Sequence, residues 1–154
     1  MRVLVLSDSH GCESGLIRAI EEQPSARHVL FLGDGLRDLH YVATRYPERV
    51  FTSVRGNNDF SAEEPNERLI ELDGKRIFMA HGHTYGVKGT DYHFLSAAGS
   101  NHAAIAVYGH THEPVTKYED GIYLMNPGSV RAGSYGVIDI TDRGIVCVLH
   151  RMDR

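Results

Sequence analysis

Five short polar motifs punctuate this chain, and most of them follow an apolar run. They are Asp8-Ser9-His10, Gly33-Asp34, Gly56-Asn57-Asn58-Asp59, His81-Gly82-His83 and Gly109-His110-Thr111-His112. Each offers oxygen or nitrogen lone pairs where a buried segment ends. In open α/β sheets, ligands collect beyond the carboxyl ends of the strands. A chain with this pattern is therefore expected to bring several strand ends to one rim.

The runs between the motifs define the elements. Residues 3–7 and 28–32, apolar but for Ser7 and His28 at their ends, read as strands buried on both faces. A helical apolar spacing follows each, at Leu16, Ile17, Ala19 and Ile20 and at Leu36, Leu39, Val42 and Ala43. Residues 50–54 form a third strand. Strand–helix–strand–helix–strand order implies a parallel unit with right-handed crossovers. Further on, residues 68–72 and 76–80 flank Asp73-Gly74, a strong hairpin signal. A helix is expected from Tyr92 to about His102 and a buried strand over residues 104–108. Four more strands, near 115–118, 122–125, 135–140 and 145–149, are separated by tight-turn sequences and read as antiparallel. The expected architecture is α/β: two mixed sheets facing each other with helices outside. No repeat or linker interrupts the chain, so one domain spanning 1–154 is expected.

The donors limit the chemistry. Asp8, Asp34, Asn57, His10, His81, His110 and His112 supply two carboxylates, one amide oxygen and four imidazoles. Seven ligands are too many for one ion with an open position, but they suit two. Mixed N/O ligation without thiolate points to Mn, Fe, Zn, Ni or Co. Two ions ~4 Å apart can clamp a phosphoryl group, activate a water and neutralise charge in an in-line displacement. Asp34 is the natural shared ligand, because a carboxylate has two oxygens to divide. Taken singly the motifs are ordinary: Gly-Asp is common turn chemistry, and His110-x-His112 can place one ring on each face of a strand. Only their conjunction, in this order at strand ends, carries the reading.

Bulk properties exclude other classes. The net charge of −4, from 16 basic and 20 acidic residues, leaves no electrostatic footprint for nucleic acid. No apolar run approaches the ~20 residues of a membrane span. The N-terminal run reaches Asp8 too early for a signal peptide, which sets the expectation of a cytoplasmic location. Cys12 and Cys147 are expected as reduced thiols. The ten histidines exceed the four assigned as ligands; His28, His40, His93, His102 and His150 are read as surface or locally bonded rings.

The motif set resembles the calcineurin-like metallophosphoesterases. The short length, His81-Gly82-His83-Thr84-Tyr85-Gly86 and Asn126-Pro127-Gly128-Ser129 narrow the likeness to the small prokaryotic phosphodiesterase branch, whose eukaryotic relative is a scaffold subunit of retromer. The resemblance implies a four-layer α/β/β/α sandwich. It also implies one metal on Asp8, His10, Asp34 and His112 and another on Asp34, Asn57, His81 and His110, with manganese first and Ni, Zn, Fe, Co or Mg as alternatives. A hydroxide bridging the metals would attack the phosphorus of a small-molecule phosphodiester. The alternatives are a non-catalytic scaffold and a nucleotide or phosphomonoester hydrolase. Related small members self-associate, so a homo-dimer or homo-tetramer is expected.

One position departs from the family pattern. Many members carry histidine directly after the ligand asparagine, where it assists the leaving group; here it is Asn58, which cannot act as a general acid. Asn58 and His83 are expected at the phosphate, Asp59 as an orienting group, and Arg37 as a candidate anion contact that competes with a solvated helix role. Asn126-Pro127-Gly128-Ser129 is expected as a turn beneath the site.

Overall fold

The apolar runs pair into sheets whose two faces both meet apolar layers. The computed structural model describes residues 1–152; the last two positions of the expected 1–154 unit lie outside the described residues. Strand β1 (Arg2–Leu6), helix α1 (Glu13–Glu22), β2 (His28–Phe31), α2 (Leu36–Ala43) and β3 (Val50–Ser53) form the parallel unit. Strands β4 (Glu67–Leu72), β5 (Lys75–Ala80), β6 (Ile105–Val107), β7 (Val115–Glu119), β8 (Ile122–Asn126), β9 (Ser134–Thr141) and β10 (Gly144–Arg151) follow, with α3 (Tyr92–Ser100) between β5 and β6.

One sheet runs β10-β9-β1-β2-β3 and the other β4-β5-β6-β8-β7. Pairing of β1 with β2 and of β2 with β3 is parallel, and β9 runs antiparallel to β1. In the second sheet β5, β6 and β8 are mutually parallel between antiparallel edge strands.

The period of two along a strand sends alternate side chains to opposite faces. In β1, Leu4 and Leu6 pack against Leu16, Ile20 and Leu39 of the helices, while Val3 and Val5 meet Ile77, Met79 and Ile105 of the opposing sheet. On β5, Phe78 and Ala80 turn the other way, onto Phe94, Leu95 and Ala98 of α3. Three apolar layers thus lie between four layers of structure, the expected α/β/β/α sandwich.

Two details differ from the sequence reading. The last four strands do not form one antiparallel set: the β7–β8 hairpin joins the second sheet, where β8 is parallel to β6, and the β9–β10 hairpin joins the first. Helix α3 also ends at Ser100, slightly before the expected end near His102. The Asp73-Gly74 turn is as expected, both residues having positive φ (50° and 77°), as a type I′ hairpin turn requires.

Candidate metal centre

The carboxyl ends of β1, β2, β3, β5 and β6 carry the five motifs, and backbone bonds tie their loops together. Asp8 N–H donates to Gly33 O (2.9 Å), His10 N–H to Asp34 O (3.2 Å) and Gly109 N–H to His81 O (3.0 Å). The two sheets are joined here as well: His81 Nδ1 donates to Leu32 O at 2.7 Å, and His110 N–H donates to Asp8 Oδ2 at 3.0 Å. Close approach sets the glycines. A Cβ on Gly33 would stand 2.5 Å from Gly56 N, and one on Gly56 would overlap Asp34 Oδ1.

Two triads result. Asp8 Oδ1 lies 3.4 Å from His10 Nε2 and 3.2 Å from His112 Nε2, and the two ring nitrogens are 3.2 Å apart. Asp34 Oδ2 lies 3.3 Å from His81 Nε2, which is 3.1 Å from His110 Nδ1. Asp34 Oδ2 is also 3.8 Å from His10 Nε2, so this one oxygen faces both groups. Asp8-His10-His112 and Asp34-His81-His110 each gather their donor atoms within 4.8 Å. The bond from His81 Nδ1 to a carbonyl, which can only accept, leaves the neutral ring's lone pair on Nε2, facing the centre.

The donor set fits cations. Asp8 is fully buried; its Oδ2 accepts from Ser7 Oγ (2.6 Å) and His110 N–H, while its Oδ1 has no hydrogen-bond partner among the described residues. A buried carboxylate oxygen without a donor is costly, and here it faces ring nitrogens that can carry lone pairs. Burial pushes the Asp34 carboxyl up, but the hydrogen bond and charge of His81, with two bonds from Asn58, hold it well below the usual carboxylate range. Burial and the charges of His81 and Lys88 press His110 down to about 4. For His81, burial pulls down but Asp34 and Asp8 win, and its pKa is raised.

Five of the candidate ligands, Asp8, His10, Asp34, His110 and His112, have φ between 42° and 70°. Left-handed backbone is uncommon outside glycine and tends to collect at functional sites.

The supporting residues take distinct parts. Asn58 grips Asp34, its N–H donating to Oδ1 (2.8 Å) and its Nδ2 to Oδ2 (2.9 Å). Asp59 accepts from Asp34 N–H and Gly56 N–H through Oδ2, and from Gly35 N–H and Leu36 N–H through Oδ1, at 2.7–3.0 Å. It thereby caps α2 and holds the backbone of Asp34. Asn57 is exposed on the same loop. The His83 ring stands 5.4 Å from that of His81 and 6.3 Å from that of His110, and its Nδ1 is buried without a partner among the described residues. Burial lowers its pKa, with the charge of His81 adding to the effect. Arg37 is exposed on α2.

Further contacts support the site, and two of the residues making them, Asp38 and Arg131, gave no signal in the sequence. Asp38, on the first turn of α2, accepts from Ser9 Oγ (2.7 Å) and Gly11 N–H (2.8 Å) and so brackets His10. Ser129 Oγ donates to Asp8 O, and Arg131 Nη1 to His10 O. Asn126 Nδ2 donates to Gly109 O and Thr111 Oγ1, which places the Asn126–Ser129 turn beneath the site as expected. Such contacts join residues far apart in the chain and follow no spacing rule.

Residues 1–143 match the family model of the calcineurin-like phosphoesterase superfamily domain. The probable metallophosphoesterase YsnB of Bacillus subtilis (strain 168) is 33% identical over 132 residues, covering 85% of this chain and 76% of that protein. Phosphodiesterase YfcE of Escherichia coli (strain K12) is 30% identical over 169 residues, covering 90% and 88%. Among solved structures, a predicted phosphoesterase from Streptococcus pneumoniae TIGR4 superposes with a TM-score of 0.82 at 26% identity, covering 97% of this chain and 88% of the other. Vps29 of Entamoeba histolytica, solved with zinc, gives 0.76 at 21% identity, covering 99% and 100%; at that distance the likeness is one of fold alone.

Proposed function

This chain belongs to the calcineurin-like phosphoesterase superfamily, and on that premise we propose that it is a dinuclear, metal-dependent phosphodiesterase acting on a small molecule. The observation that carries the proposal is the position of Asp34 Oδ2, 3.3 Å from His81 Nε2 in one triad and 3.8 Å from His10 Nε2 in the other. A single carboxylate oxygen between two imidazole-rich groups suits a pair of ions better than one.

Asp8, His10, Asp34 and His112 would hold one ion, and Asp34, Asn57, His81 and His110 the other. Divalent ions there would polarise the phosphoryl oxygens, lower the pKa of a water and offset the charge that builds up during displacement. The chain's own groups prepare this. Asp34 is kept ionised, His110 is kept neutral, and His81 is held in one tautomer by Leu32 O. Asn58 fixes both oxygens of Asp34 and retains a second amide N–H that a phosphate oxygen can accept. The absence of thiolates among the donors suits manganese, with nickel, zinc, iron, cobalt and magnesium as competitors. YfcE is named a phosphodiesterase, which supports diester over monoester chemistry.

The test compares bis(p-nitrophenyl) phosphate with p-nitrophenyl phosphate, using metal-stripped protein with and without added manganese. Manganese-dependent diester turnover, abolished in Asp34→Asn, is the expected result. Preferential monoester turnover would make the protein a phosphomonoesterase. Two bound ions with no turnover of either ester would favour a scaffold role.

A further inference from the structure

Phe60 directly follows the asparagine motif and is 82% exposed. A lone exposed aromatic side chain is ordinary. This one, however, lines a cavity of 390 Å³ with Arg37 and His40 of α2 and with Asn58, over a floor that includes Leu36 and Ala62. Asn58 is the wall shared with the metal centre, since its Nδ2 is bonded to Asp34 Oδ2. The charges around the cavity are unequal. His40 is answered by Glu64 at 2.7 Å, whereas Arg37 makes no hydrogen bond or ion pair among the described residues. An apolar ring and an unpaired guanidinium thus flank an opening whose inner wall touches the shared carboxylate.

We propose that this cavity is the subsite for one ester arm of the substrate and that the arm is planar and aromatic, stacked on Phe60 and flanked by Arg37. The inference rests on the phosphodiesterase reading and adds a substrate class to it. Aromatic faces accept planar groups by stacking, and a guanidinium packs on the same faces. A flexible alkyl arm would gain little from either group. Asn58 links the two regions: one amide N–H holds Asp34, and the other is free for the phosphoryl group from which the arm extends.

Calorimetric binding of three monoesters to the manganese-loaded full chain tests this without relying on turnover. Methyl phosphate reports on the metal centre alone, phenyl phosphate adds an aryl ring and adenosine 5′-monophosphate adds a nucleobase. The ratio of the methyl to the phenyl dissociation constant cancels any general effect on the centre. We expect a ratio of roughly fivefold or more in the wild type, falling towards one in Phe60→Ala and declining in Arg37→Ala. Both side chains are exposed, so the variants should fold, and unchanged melting temperatures would verify it. Tighter binding of adenosine 5′-monophosphate than of phenyl phosphate would assign a nucleobase, and the reverse a simple aryl group. A wild-type ratio near one, or a ratio unmoved by Phe60→Ala, would overturn the subsite and leave the phosphodiesterase reading standing. Failure of all three monoesters to bind the manganese-loaded chain would overturn both.

Discussion

At the residue scale, two side chains bear most on the proposed chemistry. Asn58 cannot act as a general acid, so in the proposed reaction a proton for the leaving group must come from elsewhere. Esters with poor leaving groups should therefore be cleaved slowly and activated aryl esters much faster. Asn58→His should raise the rate ratio of an alkyl to an aryl diester by up to roughly 10²-fold, the low end of the span of general-acid effects. Using the ratio matters, because the substitution also removes the bond from Nδ2 to Asp34 Oδ2 and would slow all substrates together. An unchanged ratio would sink the idea. His81 is expected to make metal loading depend on pH. A ligating imidazole must be neutral, and Asp34 and Asp8 raise the pKa of His81 against the pull of burial. Below that raised pKa the proton competes with the metal, so apparent affinity should increase with pH, by up to about tenfold per unit where one proton is displaced. His110, pressed down to about 4, adds nothing to this dependence near neutrality. Manganese titrations between about pH 6 and about pH 8 would measure the slope; a flat profile would mean that His81 is already deprotonated. The donor residues were legible in the sequence because spacing and chemistry mark them. Asp38 and Arg131 were not, since their bonds to Ser9 and His10 reach across the fold.

Strands and hairpins were read well where a local rule fixes them. The β4–β5 hairpin follows from Asp73-Gly74, and β1 and β2 follow from apolar runs with nothing polar inside. Sheet membership was not legible, for a physical reason. A strand buried on both faces carries no information about its neighbour, and turns such as Glu119-Asp120-Gly121 specify only the pair they join. What assigns β9 to the first sheet is the crossing from Asn126 to Val130, where Val130 N–H donates to Ser7 O and Ser129 Oγ to Asp8 O. The element most exposed to test is α2. Its N-cap position, Gly35, provides no side-chain bond, and Asp59 caps the helix from another loop by accepting from Gly35 and Leu36 N–H. The same carboxylate holds Asp34 and Gly56. Asp59→Ala should therefore do two things at once: destabilise the protein by about 2–4 kcal/mol, as loss of several charge-assisted bonds does, and weaken metal binding through Asp34. Thermal melting with manganese titration would separate these effects. Loss of stability with intact metal affinity would limit Asp59 to capping.

For the whole molecule, the sandwich places the centre where two sheets meet, and that seam concentrates unfavourable terms. Asp8 Oδ1 is buried without a donor among the described residues, and five candidate ligands sit in left-handed backbone. Each such non-glycine residue costs about 1 kcal/mol or more, against a typical total stability of ~5–15 kcal/mol. Three apolar layers pack around this seam, and within it the carboxylates and imidazoles crowd without full satisfaction. Ions bound by the folded chain alone would offset the deficit. A ligand at a hundred times its dissociation constant stabilises by about 2.7 kcal/mol per site, and a chain of this length gains roughly 2–4 °C per kcal/mol. Saturating manganese should accordingly raise the melting temperature of metal-stripped protein by roughly 10–20 °C for two sites and about half that for one. His112→Ala removes a ligand from the triad of Asp8 and His10 and leaves Asp34, His81 and His110 in place, so it should reduce the gain towards the one-site value. A melting temperature indifferent to manganese, zinc and chelator would mean that the seam is satisfied without metal, and the two-ion reading would fall. A full gain retained in His112→Ala would show that all the stabilisation comes from the His81–His110 side.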